Sequence, residues 1–347
     1  MKLKISAQVY KLPLRHPFTI SRYTIEIQET VIVSITCGDH TGYGEATANP
    51  YYGSTVEKIQ RSVVSVAQKV KDASRTSPQA LWNELSQSLK EDYFALCAID
   101  SAFWDWKSKK RGISLRDLLS VDFKAFKNNS LSLNTSYTIG LASMDKMIEK
   151  LRETPWPVYK IKLGGKDDLN VIKFLRSQTS AVFRVDANCA WTANQTVEFA
   201  KQMKTLGVEF IEQPLPNHKI ESMDRLKLKS VLPLMADESC PRYEDILKCS
   251  TGFHAVNIKL MKCGGITPAI KMIQQARELK LKIMLGCMTE SGVGIANICQ
   301  LAPWVDYLDT DGAMLLKNDL AKGVKFVDGR LVYGNISGNG IHTLRQQ

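Results

Sequence analysis

At 347 residues the chain exceeds the ~150 of an average domain, so it holds one large barrel or two domains; 44% hydrophobic and 23% charged residues exclude a solvated tail. Lys, Asp, Glu or Arg interrupts every apolar run before the ~18 residues of a membrane span, and Met1-Lys2-Leu3-Lys4-Ile5-Ser6 has no apolar run behind it, so neither a span nor a secretory signal is expected. The formal net charge of +11 invites a nucleic-acid partner, but the basic residues are dispersed and no nucleic-acid motif accompanies them. The densest cluster, Lys107-Ser108-Lys109-Lys110-Arg111, reads as the cationic end of a helix. Eight cysteines contain no C-x-x-C pair, which leaves zinc and redox motifs unsupported and suits a reducing cytoplasm.

The first third reads as a mixed unit. Residues 3–11, 29–37 and 41–46 have strand character, Gly38-Asp39-His40 makes a turn, and helical patterns follow at 54–72 and 78–90. The segment 95–106 predicts a further helix whose small residues suit close packing. From about residue 130, short apolar strands alternate with amphipathic helices, the pattern of βα units around a parallel sheet. The predicted strands are 135–139, 158–163, 183–187, 209–213, 234–237, 255–260, 282–286 and 307–311. Landmarks at 162, 186, 212, 237, 259, 286 and 309 are spaced by 24, 26, 25, 22, 27 and 23 residues, the interval of a (β/α)8-type barrel. After residue 317 the helical rhythm stops, and 325–333 with the Gly-rich 334–340 predicts a return to the first unit.

Barrel interiors are filled by branched apolar side chains, so a charge facing inward near a strand's C-terminal end needs a reason. Strand alternation in Val158-Tyr159-Lys160-Ile161-Lys162 turns both lysines inward and Tyr159 and Ile161 toward the helices. The same parity turns in Asp186 and Asn188, then Glu212, then Asp237. Each acid alone reads more readily as a helix N-cap or surface partner than as a metal ligand. Three at one height on consecutive strands would repel one another unless a divalent cation relieved them, and an all-oxygen set favours Mg²⁺ over zinc. Lys259 shares a face with Asn257 one strand further on, where a snorkelling surface lysine is the alternative. A barrel sets Lys162 and Lys259 on opposite sides of the acids, where two amines can remove a proton from one face of a carbon acid and return one to the other. Positive charge from Mg²⁺ and Lys160 is expected to favour the neutral amine. On the last strand Asp309 and Asp311 face inward, as a grip for an ammonium group or as a loop pair capping a following helix.

With Lys160-Ile161-Lys162, Val185-Asp186-Ala187-Asn188, Ile211-Glu212-Gln213-Pro214, Ala236-Asp237-Glu238-Ser239, Asn257-Ile258-Lys259, Cys287-Met288-Thr289-Glu290-Ser291 and Asp309-Thr310-Asp311 in this order, the chain resembles the muconate-lactonizing subgroup of the enolase superfamily. Within it the chain is most similar to the dipeptide epimerases typified by L-Ala-D/L-Glu epimerase. The resemblance implies an α/β fold: a (β/α)7β TIM-like barrel at 126–317, an N-terminal α+β capping domain at 1–125, and a C-terminal segment at 318–347 that completes the cap. It further implies that Asp186, Glu212 and Asp237 bind one Mg²⁺ ion per subunit, which chelates the substrate's terminal carboxylate and stabilises an enediolate. Lys162 and Lys259 would be the opposed acid/base groups, Lys160 an electrostatic aid, and Asp309 with Asp311 the site of the dipeptide's α-ammonium group. Thr135 and Met288 are assigned to substrate binding. A loop at 16–24 would close over the site, with Arg22 near the position where glutamate-selective relatives pair an arginine with the substrate's acid; a solvated loop charge is the alternative.

The expected reaction is inversion of the α-carbon of the C-terminal residue in an L-Ala-X-type dipeptide. o-Succinylbenzoate synthesis, N-acylamino acid racemisation and muconate cycloisomerisation share the metal and lysines, and Asp309 with Asp311 argues against them because their substrates carry no free ammonium. A Schiff-base lyase or aldolase would use an inward lysine without metal, and an anion-binding module rests on net charge alone. The identity of X is not read from the sequence, and a homo-oligomer stays open.

Overall fold

The structure, a computed structural model, describes residues 2–122, 133–341 and 343–345. β-Branched runs build an antiparallel sheet of β1 (Lys4–Thr19), β2 (Thr24–Cys37) and β3 (His40–Thr47). Both long strands overrun the predicted 3–11 and 29–37, because Phe18 pairs with Ile25 and Thr19 with Thr24 beyond an irregularity between Pro13 and Phe18. The predicted loop at 16–24 is therefore mostly a hairpin tip. Pro13 and Pro17 have no N–H to donate, and that local break gives the sequence its loop character.

The predicted helix at 54–72 divides into α1 (Val56–Ser65) and α2 (Ala67–Asp72), followed by α3 (Pro78–Ser88), α4 (Tyr93–Lys110) and α5 (Leu115–Leu119). Thr55 and Ser77 accept N–H bonds at the starts of α1 and α3. α4 is buried along most of its length, and its small residues do what their pattern predicted. Ala98 and Ala102 let the helix lie directly on Gly42 and Gly44 of β3, where any Cβ would overlap a backbone carbonyl oxygen of α4.

The barrel strands are β4 (Tyr137–Ile139), β5 (Val158–Lys162), β6 (Val182–Asp186), β7 (Val208–Glu212), β8 (Leu234–Ala236), β9 (Ala255–Ile258), β10 (Lys282–Gly286) and β11 (Tyr307–Asp309). They form one eight-stranded parallel sheet in chain order. The seam closes where Thr135 bridges Leu308 and Ser136 N–H donates to the Leu308 carbonyl at 3.1 Å. Between the strands lie α6 (Met144–Glu153), α7 (Asp168–Arg176), α8 (Ala193–Thr205), α9 (Ile220–Lys229), α10 (Asp245–Gly252), the short α11 (Leu260–Cys263), α12 (Ile266–Glu278) and α13 (Gly292–Cys299). Among the described residues no α-helix follows β11, so the architecture is a (β/α)7β barrel.

Instead the chain pairs β12 (Ala321–Lys322) with β15 (Thr343–Leu344), makes a hairpin of β13 (Lys325–Val327) and β14 (Arg330–Val332), and returns to the N-terminal unit. There Leu115 N–H donates to the Gly338 carbonyl at 2.7 Å, and Asn339 N–H donates to Asp105 Oδ1 at 2.7 Å. The expected boundary at 125/126 lies outside the described residues. No helix among the described residues is long and apolar enough to cross a membrane.

Strand parity sorts the barrel into layers. Tyr159, Ile161, Val185 and Ile211 point at the helices and are fully buried. Phe210, Met235, Ala255 and Met284, deeper along their strands than the mouth positions, make a small apolar cluster with Tyr307 packed against it. This cluster is the apolar floor on which the charged mouth stands.

Candidate metal centre and active site

The inward positions at the C-terminal ends of β5 to β11 converge beneath the hairpin tip. Oxygens of Asp186, Glu212 and Asp237 lie within 4.8 Å of one another, all three residues buried. Asp186 ends β6, Glu212 ends β7, and Asp237 follows β8 by one residue, so the register of adjacent parallel strands sets them side by side. Local backbone aims them: Asn188 N–H donates to Asp186 Oδ1 at 2.9 Å. The Gln213 side-chain oxygen accepts from the N–H groups of Asp237 and Ser239, each at 3.0 Å. Asn188 and Gln213 themselves adopt left-handed backbone, at φ 43° and 36°.

Four ammonium groups face this cluster. Lys160 Nζ lies 2.7 Å from Asp309 Oδ2, 2.8 Å from Glu212 Oε2 and 3.2 Å from Asp186 Oδ2. Lys162 Nζ donates to Asp186 Oδ2 at 2.6 Å, and Lys259 Nζ to Asp237 Oδ2 at 2.9 Å. Lys262, which the sequence reading passed over, donates to Asp237 Oδ1 at 2.7 Å and to the Asp237 carbonyl at 2.6 Å. Its only sequence signal is its position three residues after Lys259, at the start of a helix after an inward lysine. Asn257 Nδ2 donates to Glu212 Oε1 at 2.8 Å, and Gly286 leaves the room that Asn257 occupies.

Burial opposes every charge here, and the neighbours decide which survives. Burial alone would raise Asp186, but Lys162 and Lys160 hold its carboxyl down at about 2. Asp237 likewise overcomes burial through Lys259 and Lys262 and sits well below the usual carboxylate range. Glu212 does not: burial, against the pull of Lys160, pushes it up to about 7. Burial would lower Lys160 and Lys259, yet the carboxylates facing them raise both above the ordinary lysine value. With no ion sharing the carboxylates, Lys259 therefore holds its proton, against the expectation of a neutral amine there. Repulsion between Lys160 and Lys259 is present, but Asp237 outweighs it.

The residues present fit a divalent cation. All donors are oxygen, Glu212 Oε2 has no aligned donor despite its closeness to Lys160, and Asn188 Oδ1, Glu238 Oε2 and Asn257 Oδ1 are further buried acceptors without a hydrogen-bond partner. In the chain alone the lysines supply the counter-charge that an ion would share.

The structure brings nearly all of the expected residues to one cavity, lined by Arg22, Lys160, Lys162, Asp237, Lys259, Met288, Asp309 and Asp311 together with Thr138, Tyr51 and Glu238. Asp186 and Glu212 do not line it but are grouped with Asp237, whereas Thr135 belongs elsewhere. It is fully buried at the barrel seam, where its hydroxyl accepts the Thr310 N–H at 2.8 Å, and Thr138 lines the cavity instead. Asp309 and Asp311 already have partners within the chain. Asp309 is held low by Lys160 against burial and accepts from Ser136 Oγ at 2.5 Å, while Asp311 accepts from Thr138 N–H at 2.6 Å and is pushed to about 7 by burial and by Asp309. Arg22 reaches across from the hairpin tip to Glu238 Oε1 at 2.6 Å.

A capped eight-stranded barrel with three buried carboxylates on consecutive strands, met by amines at Asp186 and at Asp237, defines the class: a barrel enzyme with an acid cluster that could hold a metal. Residues 4–120 match the mandelate racemase / muconate lactonizing enzyme N-terminal domain, and residues 143–346 match the enolase C-terminal domain-like family. The chain belongs to the enolase superfamily, on its mandelate racemase and muconate lactonizing side. It is 45% identical to the L-Ala-D/L-amino acid epimerase of Flavobacterium johnsoniae over 342 residues, 99% of this chain and 100% of the relative. Among solved structures, a substrate-liganded complex of the L-Ala-D/L-Glu epimerase from Bacillus subtilis covers 100% of both chains with a TM-score of 0.92 at 25% identity. The dipeptide epimerase of Methylococcus capsulatus, complexed with Mg and L-Arg-D-Lys, covers 98% of this chain and 99% of its own with a TM-score of 0.89 at 29% identity.

Proposed function

We propose that this chain is an epimerase that inverts the α-carbon of the C-terminal residue in L-Ala-X-type dipeptides by two-base proton transfer. It is an isomerase acting on amino-acid derivatives, as its named relatives are. The observation that carries the mechanism is the placement of two amines at the two ends of one acid arc. Lys162 Nζ lies 2.6 Å from Asp186 and Lys259 Nζ 2.9 Å from Asp237, with Glu212 between. A carbon held over the arc would have one amine on each face, so that with Mg²⁺ sharing the carboxylates the amine in its neutral form would take the α-proton while the other, as an ammonium, would deliver its proton from the opposite side.

Asp186, Glu212 and Asp237 would hold Mg²⁺, which supplies a fixed positive charge for the substrate carboxylate and for the charge that develops there as the α-proton leaves. Lys160, buried among four acids, keeps its proton and adds positive potential beneath the same carboxylate. Asp311, with Asp309 beside it, would receive the dipeptide's ammonium group, and Met288 would pack against the substrate. Binding an ammonium there would draw Asp311 into its ionised form. The same proposal divides the chain into a cap at 1–125, a barrel at 126–317 and a returning segment at 318–347. Eight free thiols fit a cytoplasmic setting.

The test is incubation with an L,L-dipeptide library in D₂O and Mg²⁺, read by mass spectrometry and chiral chromatography. One deuterium and a new diastereomer are expected for L-Ala-X members. Lys162→Ala and Lys259→Ala should each abolish epimerisation and leave Mg²⁺ binding in place. Absence of exchange with every dipeptide refutes the proposal, and full turnover in either variant removes that lysine from it.

A further inference from the structure

We infer that Arg22 is a latch held by Glu238 and is not a reader of acidic side chains, so that X is an uncharged, apolar residue in preference to glutamate or aspartate. This rests on the epimerase reading above and deepens it.

Arg22 stands in the turn between β1 and β2, above the cavity, and its guanidinium is engaged on three sides. Nη2 donates to Glu238 Oε1 at 2.6 Å, Nη1 points to the Asn188 carbonyl at 3.4 Å, and the plane lies 4.1 Å over the Tyr51 ring. The pair is unequal in exposure: the Arg22 side chain is 27% accessible and that of Glu238 only 2%. Glu238 therefore has no water to fall back on, and its Oε2 already lacks a partner. An acidic substrate would have to share Arg22 with Glu238, crowding two carboxylates on one guanidinium, and taking it outright would leave a buried carboxylate without the arginine that pairs with it. The incoming acid would also meet the negative charge of Glu238 itself. Around the latch, Phe18, Ile20, Tyr51, Met288 and Leu315 offer apolar surface to a side chain that needs no charge partner. With its charge already cancelled, Arg22 ties the hairpin tip to the barrel mouth and discriminates against acids instead of attracting them.

The experiment compares kcat/KM of the Mg²⁺-loaded wild type for L-Ala-L-Leu and L-Ala-L-Glu, by deuterium incorporation. The expected preference for the leucine dipeptide is about tenfold or more. Glu238→Gln keeps the shape, frees the charge of Arg22, and should move the ratio toward the glutamate dipeptide by about tenfold; the double variant Glu238→Gln with Arg22→Met should return it to the wild-type ratio. Wild-type preference for the glutamate dipeptide overturns this inference while leaving the epimerase reading intact, and an unmoved ratio in a folded Glu238→Gln variant does the same. Because the first comparison uses only wild-type protein, a poorly folding variant does not spare the inference. Absence of exchange with either dipeptide or any other overturns both.

Discussion

Lys262→Met isolates what the buried ammonium groups contribute to stability. Lys262 has no exposed side-chain surface, and its Nζ serves Asp237 Oδ1 at 2.7 Å and the carbonyls of Asp237, Asn257 and Cys240 at 2.6, 3.1 and 3.3 Å. Methionine preserves length and apolar packing while removing every donor. The charge-assisted bond to Asp237 accounts for about 1.5–3 kcal/mol, and carbonyls left buried without a donor add roughly 1–3 kcal/mol. Relief from desolvating the ammonium offsets part of this, so the net loss should be about 3–5 kcal/mol, as for other buried pairs broken on one side. Urea unfolding in EDTA, followed by far-UV circular dichroism, reads it as a lowered midpoint at constant slope. Lys11→Met is the control: that side chain is 69% exposed beside a 42% exposed Glu29, and its loss should stay below about 0.5 kcal/mol. A cost under about 1 kcal/mol for Lys262→Met would refute the assignment of this lysine as a buried tie.

Mg²⁺ should raise the melting temperature of the wild type, because a ligand of the folded state alone stabilises it by about 2.7 kcal/mol at a hundred times its Kd; Asp186→Asn should lose that increment, and a retained increment removes Asp186 from the ligand set. Burial pushes Asp100 up to about 7 against the bonds it accepts from Thr267 N–H and Oγ1. The folded chain thus holds this proton more tightly than the unfolded chain, where aspartate titrates near ~3.9, so the stability it contributes is full below that pH and declines as pH rises toward 7. Asp100→Asn should flatten the decline in urea midpoints between these pH values, and an unchanged slope refutes it. At Gly44 an added Cβ overlaps the Ala98 carbonyl oxygen and comes within 2.8 Å of Ala102 N, so Gly44→Ala should cost about 3 kcal/mol or more. Gly334→Ala, whose added Cβ would meet nothing closer than 3.8 Å, should stay within about 0.5 kcal/mol by the same measurement.

Strand parity made the barrel mouth readable. A period of two in Lys160-Ile161-Lys162 or Val185-Asp186-Ala187 forces charges inward whatever the loops do, so the acid arc and its lysines follow from local sequence. Three features needed the tertiary fold. The hairpin tip hides behind Pro13 and Pro17, and its pairing depends on β2 rather than on its own composition. Thr135 precedes β4, at the strand end away from the mouth, and barrel closure engages its hydroxyl with Thr310. Lys262 leaves the strand, and only the turn into α11 carries it back to Asp237. The charge states also lay beyond sequence, since the burial that pushes Glu212 up and the pairing that holds Asp186 down are both products of assembly.

The return of the last residues to the first unit has a consequence for biosynthesis. Asp105 is fully buried and takes donors from Tyr43, Lys109 and Asn339. During vectorial translation the first two emerge early, but Asn339 arrives only after the entire barrel has left the ribosome. The roof over the mouth therefore waits, incompletely bonded, for the final stretch of polypeptide, and a message truncated before that codon would yield a barrel with an unfinished lid.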